Sequence, residues 1–112
     1  DDEIPRVVRV FPLPNLVFFP EAVQPLHIFE PRYRQMTADA LASDQMIALV
    51  MLQGDWEQNY HARPSVHSFA CLGQIIGDQQ LSDGRYNLLL RGITRIRLDE
   101  ELTIPGKMYR TF

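Results

Sequence analysis

His67 and Cys71 are the nearest approach to a metal-ligand pair in this sequence of 112 residues, and their spacing argues against one. Four residues along a strand span about 13 Å. Zinc takes its ligands at about 2.0–2.3 Å, so these two side chains share an ion only across a sharp bend. His61, in a loop-like stretch, can join one of them but not both. His27-Ile-Phe-Glu30 lacks the second histidine that places two imidazoles on one helix face. His27 is therefore expected to be partly buried and bonded to a backbone group. Cys71, between Ala70 and Leu72, reads as a small core residue with no basic partner to lower its pKa. No metal site is expected.

Nucleotide and peptidase chemistry leave equally little trace. A P-loop needs Gly-x4-Gly-Lys-Ser/Thr, so that backbone amides wrap the phosphates and a hydroxyl holds magnesium. Gly106-Lys107 is followed by Met108, and Glu101 stands where the first glycine belongs. Lys107 is the sole lysine. It sits beside Pro105-Gly106 in an expected exposed turn, without the desolvation that would activate it in a Ser-Lys dyad. The run Asp99-Glu100-Glu101 splays its carboxylates and reads as a solvated turn. No catalytic residue and no cofactor are expected.

Binding features are richer. Arg85, Arg91, Arg95 and Arg97 gather positive charge, read mainly as a solvent face pairing with Asp78, Asp83 or Glu100, and secondarily as a site for acidic peptides or a neighbouring domain. A net charge of −3 and the lack of an aromatic-rich basic motif argue against nucleic acid. Trp56 and Tyr60 lie in a long polar stretch, and aromatic side chains there suit contact surfaces. Phe18, Phe19 and Phe29 are read as core or, where they face outward, as an apolar patch for unfolded chain. The candidate peptide-binding residues are therefore Trp56, Tyr60, Phe18, Phe19 and Phe29.

The elements that must position these groups follow from proline placement and periodicity. Arg6–Leu13 reads as a strand with Phe11 and Leu13 on one face and Val8 and Val10 on the other. Pro12, Pro14, Pro20, Pro25 and Pro31 forbid a long helix or a central strand between Phe11 and Met36. Leu16–Ile28 is thus expected to be extended, bent at its prolines and buried in short bites. A helix begins at Pro31, where a missing N–H costs nothing, with Glu30 as a negative cap. Tyr33, Met36, Ala40 and Leu41 share its apolar face, with Arg32, Gln35 and Asp39 turned outward.

Met46–Leu52 reads as a strand buried on both faces, and Gln53–Val66 as a surface loop. Ser68–Leu81 and Arg85–Leu90 form a hairpin about Ser82-Asp83-Gly84, with bulges or bends at Gly73 and Gly77. Ile93–Leu98 alternates as a further strand, and Lys107–Phe112 opens another. The fold class is mainly β: about six strands in a small, bent barrel with one principal α-helix.

Composition fits one globular domain, with 46% hydrophobic and 22% charged residues. The net charge offers no attraction to an anionic membrane. The longest apolar run, Ile47–Leu52, is far too short to span one. A single cysteine favours a reducing compartment, and a cytoplasmic protein is expected. The chain starts at Asp1 rather than Met, which leaves a removed leader or a trimmed chain open.

Two blocks carry a family resemblance. Phe11-Pro-Leu-Pro-Asn15, Phe18-Phe-Pro20 and Pro25-Leu-His-Ile-Phe-Glu-Pro-Arg-Tyr33 form the first; Asp83-Gly-Arg-Tyr-Asn-Leu-Leu-Leu-Arg-Gly-Ile-Thr-Arg-Ile-Arg-Leu98 forms the second. From about Val10 to Leu98 the chain resembles the amino-terminal substrate-binding domain of Lon proteases, most of all in its small stand-alone bacterial form. The resemblance implies a PUA-like pseudo-barrel over residues 1–112, with a C-terminal helical part of the parent missing. It gives Glu30, Pro31, Arg32, Tyr33, Gly84 and Gly92 as structural motif residues. Glu30 and Arg32 are expected to cap the helix and pin the proline-bent segment through a charge-assisted bond.

The function implied is non-catalytic recognition of polypeptide. Expected partners are unfolded or extended protein segments and a protease or chaperone, with neither nucleic acid nor membrane among them. The alternative is a regulatory or scaffold module that binds a folded partner, or a small molecule in a barrel pocket.

Overall fold

The computed structural model describes residues 4–15, 18–53 and 65–112. Six strands and one helix follow one another as β1 (Arg9–Leu13), β2 (Val23–Ile28), α1 (Pro31–Leu41), β3 (Met46–Leu52), β4 (Val66–Gln80), β5 (Tyr86–Arg97) and β6 (Arg110–Thr111). They make one sheet in the order β2-β5-β4-β3-β1-β6. β1 runs parallel to β3, and the other neighbours are antiparallel. The mainly-β class with six strands and one helix stands. The sheet is not closed, and β2 and β6 are its edges.

Proline placement explains part of that order. Pro25 lies in β2, an edge strand, where a missing donor costs no ladder bond on the open side. Pro12 lies in β1 beyond the two residues, Arg9 and Val10, that β6 pairs. β3 is continuously apolar and sits inside the sheet, with Ile47, Ala48, Leu49 and Val50 at 0% exposure. Over these four residues both faces are buried, each contributing to a different core, whereas Met51 of the same strand is exposed.

Phe11, Ile47, Leu49, Ile75, Leu88 and Leu90 meet the helix residues Tyr33, Met36 and Ala40 on one face. Val8, Val10, Ala48, Val50, Ala70, Leu72 and Leu98 pack on the other. The alternation expected of Val8, Val10, Phe11 and Leu13 is thus observed, although β1 begins at Arg9 rather than Arg6. Two register shifts in the β4–β5 ladder fall at Leu72/Gly73 and Ile75/Gly77, where the glycines suggested irregularity. Gly84 closes the hairpin with φ 93°, a left-handed value that costs an L-residue with a Cβ about 1–2 kcal/mol.

Three sequence readings need correction. Arg85–Leu90 and Ile93–Leu98 are not separate strands: β5 runs unbroken from Tyr86 to Arg97, because Gly92 keeps its cross-strand partner Gly73. Glu30 is the N-cap residue, but its side chain makes no capping bond. Its carbonyl accepts the Tyr33 and Arg34 N–H groups at 3.0 and 2.9 Å, while its carboxylate pairs with Arg32 at 3.3 Å.

Gln35 and Asp39 do not simply face solvent. The Gln35 amide donates to the Gly106 carbonyl at 2.7 Å, and its Oε1 accepts the Met108 N–H at 2.6 Å. Asp39 Oδ2 accepts from Tyr109 Oη at 2.6 Å and from Lys107 Nζ at 2.9 Å. The helix therefore holds the segment that leads into β6.

That clasp makes stability depend on pH at both extremes. The Tyr109 hydroxyl and the Lys107 ammonium hold the Asp39 carboxyl below its ordinary value. A depressed folded-state pKa gives stability that is present at neutral pH and lost as acid protonates the carboxylate below about pH 4. Burial, and then the bond to Asp39, push Tyr109 up to about 12. Because the folded state then keeps a proton that the unfolded state has released, stability falls as pH rises from about 10 to 12. Tyr109→Phe is expected to flatten that alkaline slope in urea titrations. An unchanged slope contradicts the clasp.

Candidate functional site

The face of the sheet that forms the main core does not end where the helix does. Phe11, Leu49, Cys71 and Arg95 stand side by side across β1, β3, β4 and β5. One step further along lie Leu13 opposite Met51 and Phe69 opposite Arg97. Phe11 and Leu49 are core, whereas Met51 and Phe69 are 37% and 57% exposed. This uncovered end forms a groove of about 540 Å³, floored by Leu49 and Cys71 and bordered by Phe18, Phe19, Met51, His67, Phe69 and Arg95.

Two glycines build its wall. Gly73 of β4 and Gly92 of β5 are direct cross-strand partners, and the chain before β2 crosses the sheet above them. The Phe18 ring comes within 3.2 Å of where a Gly73 Cβ would stand. A Cβ on Gly92 would collide with the Phe19 carbonyl and come within 3.2 Å of the Cys71 sulfur. The crossing is fixed by main-chain bonds: Glu21 N–H donates to the Gly92 carbonyl and Gly92 N–H to the Ala22 carbonyl, each at 2.8 Å. Glu21 takes φ 75° at the turn, an unusual value for a residue with a Cβ. Phe18 is thereby half-buried against the main core, and Phe19 is left 56% exposed at the rim.

Of the sequence candidates, then, Phe18 and Phe19 share the groove. Phe29 does not. It is 59% exposed beyond β2 and stacks on His27 with ring centroids 6.0 Å apart. Trp56 and Tyr60 lie outside the described residues. Gln53, which also lines the groove, donates its N–H to the Ser65 carbonyl at 2.8 Å. His27, expected to be partly buried on a backbone partner, is instead exposed. Its Nδ1 is 2.8 Å from Asn87 Oδ1, and its Nε2 is 3.5 Å from Arg85 Nη1.

The motif residues serve the frame. Pro31 opens α1. Tyr33 packs its ring 4.4 Å from that of Phe11, with the Arg32 guanidinium 4.7 Å above it. Gly84 makes the turn whose Asp83 carbonyl accepts from Arg34 at 3.1 Å.

Sequence reasoning passed over Met51 and Phe69 as contact residues. A usable signal existed for Phe69, which alternates with His67 and Cys71 on one face while Ala70 and Leu72 occupy the other. What the sequence lacks is any mark of where the core cover stops.

The groove has little capacity for covalent or metal chemistry. Cys71 is 4% exposed. Burial raises its thiol pKa, and the opposing pull of Arg95 is smaller. We expect labelling of Cys71 by iodoacetamide at pH 8 to be slow in the native protein and rapid in denaturant. Equal rates would show an accessible thiol. Among the described residues, no three His, Cys, Asp or Glu side chains are placed to hold a metal ion, and no helix is long and apolar enough to cross a membrane.

Known proteins share this fold. The crystal structure of a Lon N-terminal domain protein from Xanthomonas campestris superposes with a TM-score of 0.71 at 21% identity, covering 96% of this chain and 57% of that one. The N-terminal domain of the Mycobacterium avium complex Lon protease gives 0.69 at 17% identity, over 95% and 52%. In sequence, Lon protease 2 of Myxococcus xanthus is 28% identical over 99 residues, and the Lon protease of Xanthomonas oryzae pv. oryzae likewise. Each match covers 88% of this chain and 12% of the relative, so the chain spans about an eighth of those proteases. The family model described as the ATP-dependent protease La (LON) substrate-binding domain matches residues 7–107, and the chain belongs to that family.

Proposed function

We propose that the domain recognises extended or unfolded polypeptide segments without catalysing their cleavage, and that the groove between Phe19 and Phe69 is where they lie. The observation that carries this reading is the exposure of Phe19, Met51 and Phe69 around a groove on an uncovered sheet face. Isolated surface apolar residues need no explanation, but three around one concavity mark a contact surface. Membership of a substrate-binding family supports the same conclusion. Residues 1–112 then act as one recognition domain of a larger protein, which passes segments to a protease or chaperone partner. The rival reading of a small molecule inside a barrel meets an open sheet and an interior filled by Met36, Leu49 and Leu90 at 0% exposure.

Fluorescence anisotropy of labelled peptides from unfolded proteins tests the proposal. Apolar peptides are expected to bind, and Phe19→Ser with Phe69→Ser to weaken them about tenfold or more while the far-ultraviolet circular dichroism is unchanged. Equal affinity in the double variant would remove the groove from the reading. No binding to any unfolded peptide would remove the function.

A further inference from the structure

The groove is not uniformly apolar. Most cations of this acidic domain already have a carboxylate: Arg9 pairs with Asp44, Arg85 with Asp83, Arg97 with Asp99, Lys107 with Asp39 and Arg110 with Glu101. Arg95, on the groove border, has no ion-pair partner among the described residues. Its strand partner is Cys71 and, across the floor, Leu49, neither of which can accept a charge-assisted bond of any strength.

We propose that the groove selects segments in which an Asp or Glu stands two residues from a large apolar side chain. This rests on the reading of the groove as a polypeptide site and names the sequence class it prefers. Phe69 is opposite Arg97, which puts it on the diagonal from Arg95, about 7–8 Å away. In an extended peptide, side chains on the same side recur every second residue, about 6.8 Å apart. An apolar side chain seated between Phe19, Met51 and Phe69 therefore sends the side chain two positions away to the Arg95 guanidinium. The residue between them points out of the groove and is unconstrained. The planar fork of arginine suits a carboxylate in two-bond geometry.

The test uses acetylated, amidated ten-residue peptides, so that neither terminus supplies a charge. Each carries one Phe and one variable residue in the arrangements Phe-x-Glu, Glu-x-Phe and Phe-x-x-Glu, with Gln and Lys versions of each. In one of the two i, i+2 orders, Glu is expected to bind about threefold to fivefold tighter than Gln, the upper part of the range of an exposed ion pair. Phe-x-x-Glu, which turns the carboxylate to the far side, is expected to show no gain. Arg95→Gln should abolish the preference, and Arg95→Glu should transfer it to the Lys peptide.

Arg91, exposed on the same strand, borders no part of the groove, so Arg91→Gln should leave the preference intact. Equal binding of Glu and Gln peptides to the wild-type domain overturns the proposal, as does a preference that survives Arg95→Gln or disappears with Arg91→Gln. In those cases apolar binding that still depends on Phe69 leaves the wider reading standing. Failure of every peptide to bind removes both.

Discussion

Gly92→Ala is expected to lower the thermal midpoint by about 10–20 °C, a loss of about 3 kcal/mol at this chain length. The added methyl meets the Phe19 carbonyl and the Cys71 sulfur. The first is main chain, tied to the sheet by the Glu21–Gly92 and Gly92–Ala22 bonds. Relief therefore requires lifting the whole crossing, with loss of those bonds and of Phe18 packing. Gly77→Ala is the natural control. Its nearest neighbour is a flexible Leu89 side chain at 3.5 Å, and a cost below about 1 kcal/mol is expected because that is ordinary contact. Urea unfolding of both variants decides the matter: similar costs would mean that the crossing yields easily and does not fix the groove wall. Gly92→Ala should also weaken peptide binding by more than its residual stability predicts, since Phe19 moves with the crossing.

Leu49→Ala is the second large effect. Leu49 is wholly buried in the strand that serves both cores, and it also lies under the groove floor. Truncating such a side chain removes its transfer free energy and leaves a cavity, at about 2–5 kcal/mol. A central strand between fixed neighbours has little freedom to collapse, so a value of about 3 kcal/mol or more is expected. Leu89→Ala, at 42% exposure on β5, should cost less than about 1 kcal/mol. Chemical denaturation with an unchanged slope tests both. A small loss for Leu49 would mean that groove and core are decoupled at this point, which the shared side chain argues against.

Within the frame, legibility tracked how local the physics was. The boundaries of β3 and α1 follow from a continuous apolar run and from a proline at the first helical position, and they fall at Met46–Leu52 and Pro31–Leu41. Gly73 reads as an irregularity because a glycine in a strand weakens local packing. Its function as a seat for Phe18 depends on a segment more than fifty residues earlier. Asp39 read as a solvent residue from helical periodicity alone, since its partners Lys107 and Tyr109 belong to the far end of the chain.

By itself, then, the sequence determined the β-rich class, the principal helix and the hairpin at Gly84, because these rest on backbone restriction and short-range alternation, while the family resemblance rests on motif residues. It also held the two motif blocks in order. Only the tertiary structure decided that Phe18 and Phe19 share a groove while Phe29 stands apart, and that Phe69 and Arg95 border it. Alternation assigns a side chain to a face of a strand, but whether that face is covered depends on where the helix and the crossing segment stop, a contest among distant parts of the chain. The open sheet was settled in the same way: each strand's pattern is satisfied equally by a closed barrel and by an open sheet, and the edges at β2 and β6 emerge only when all six strands are paired.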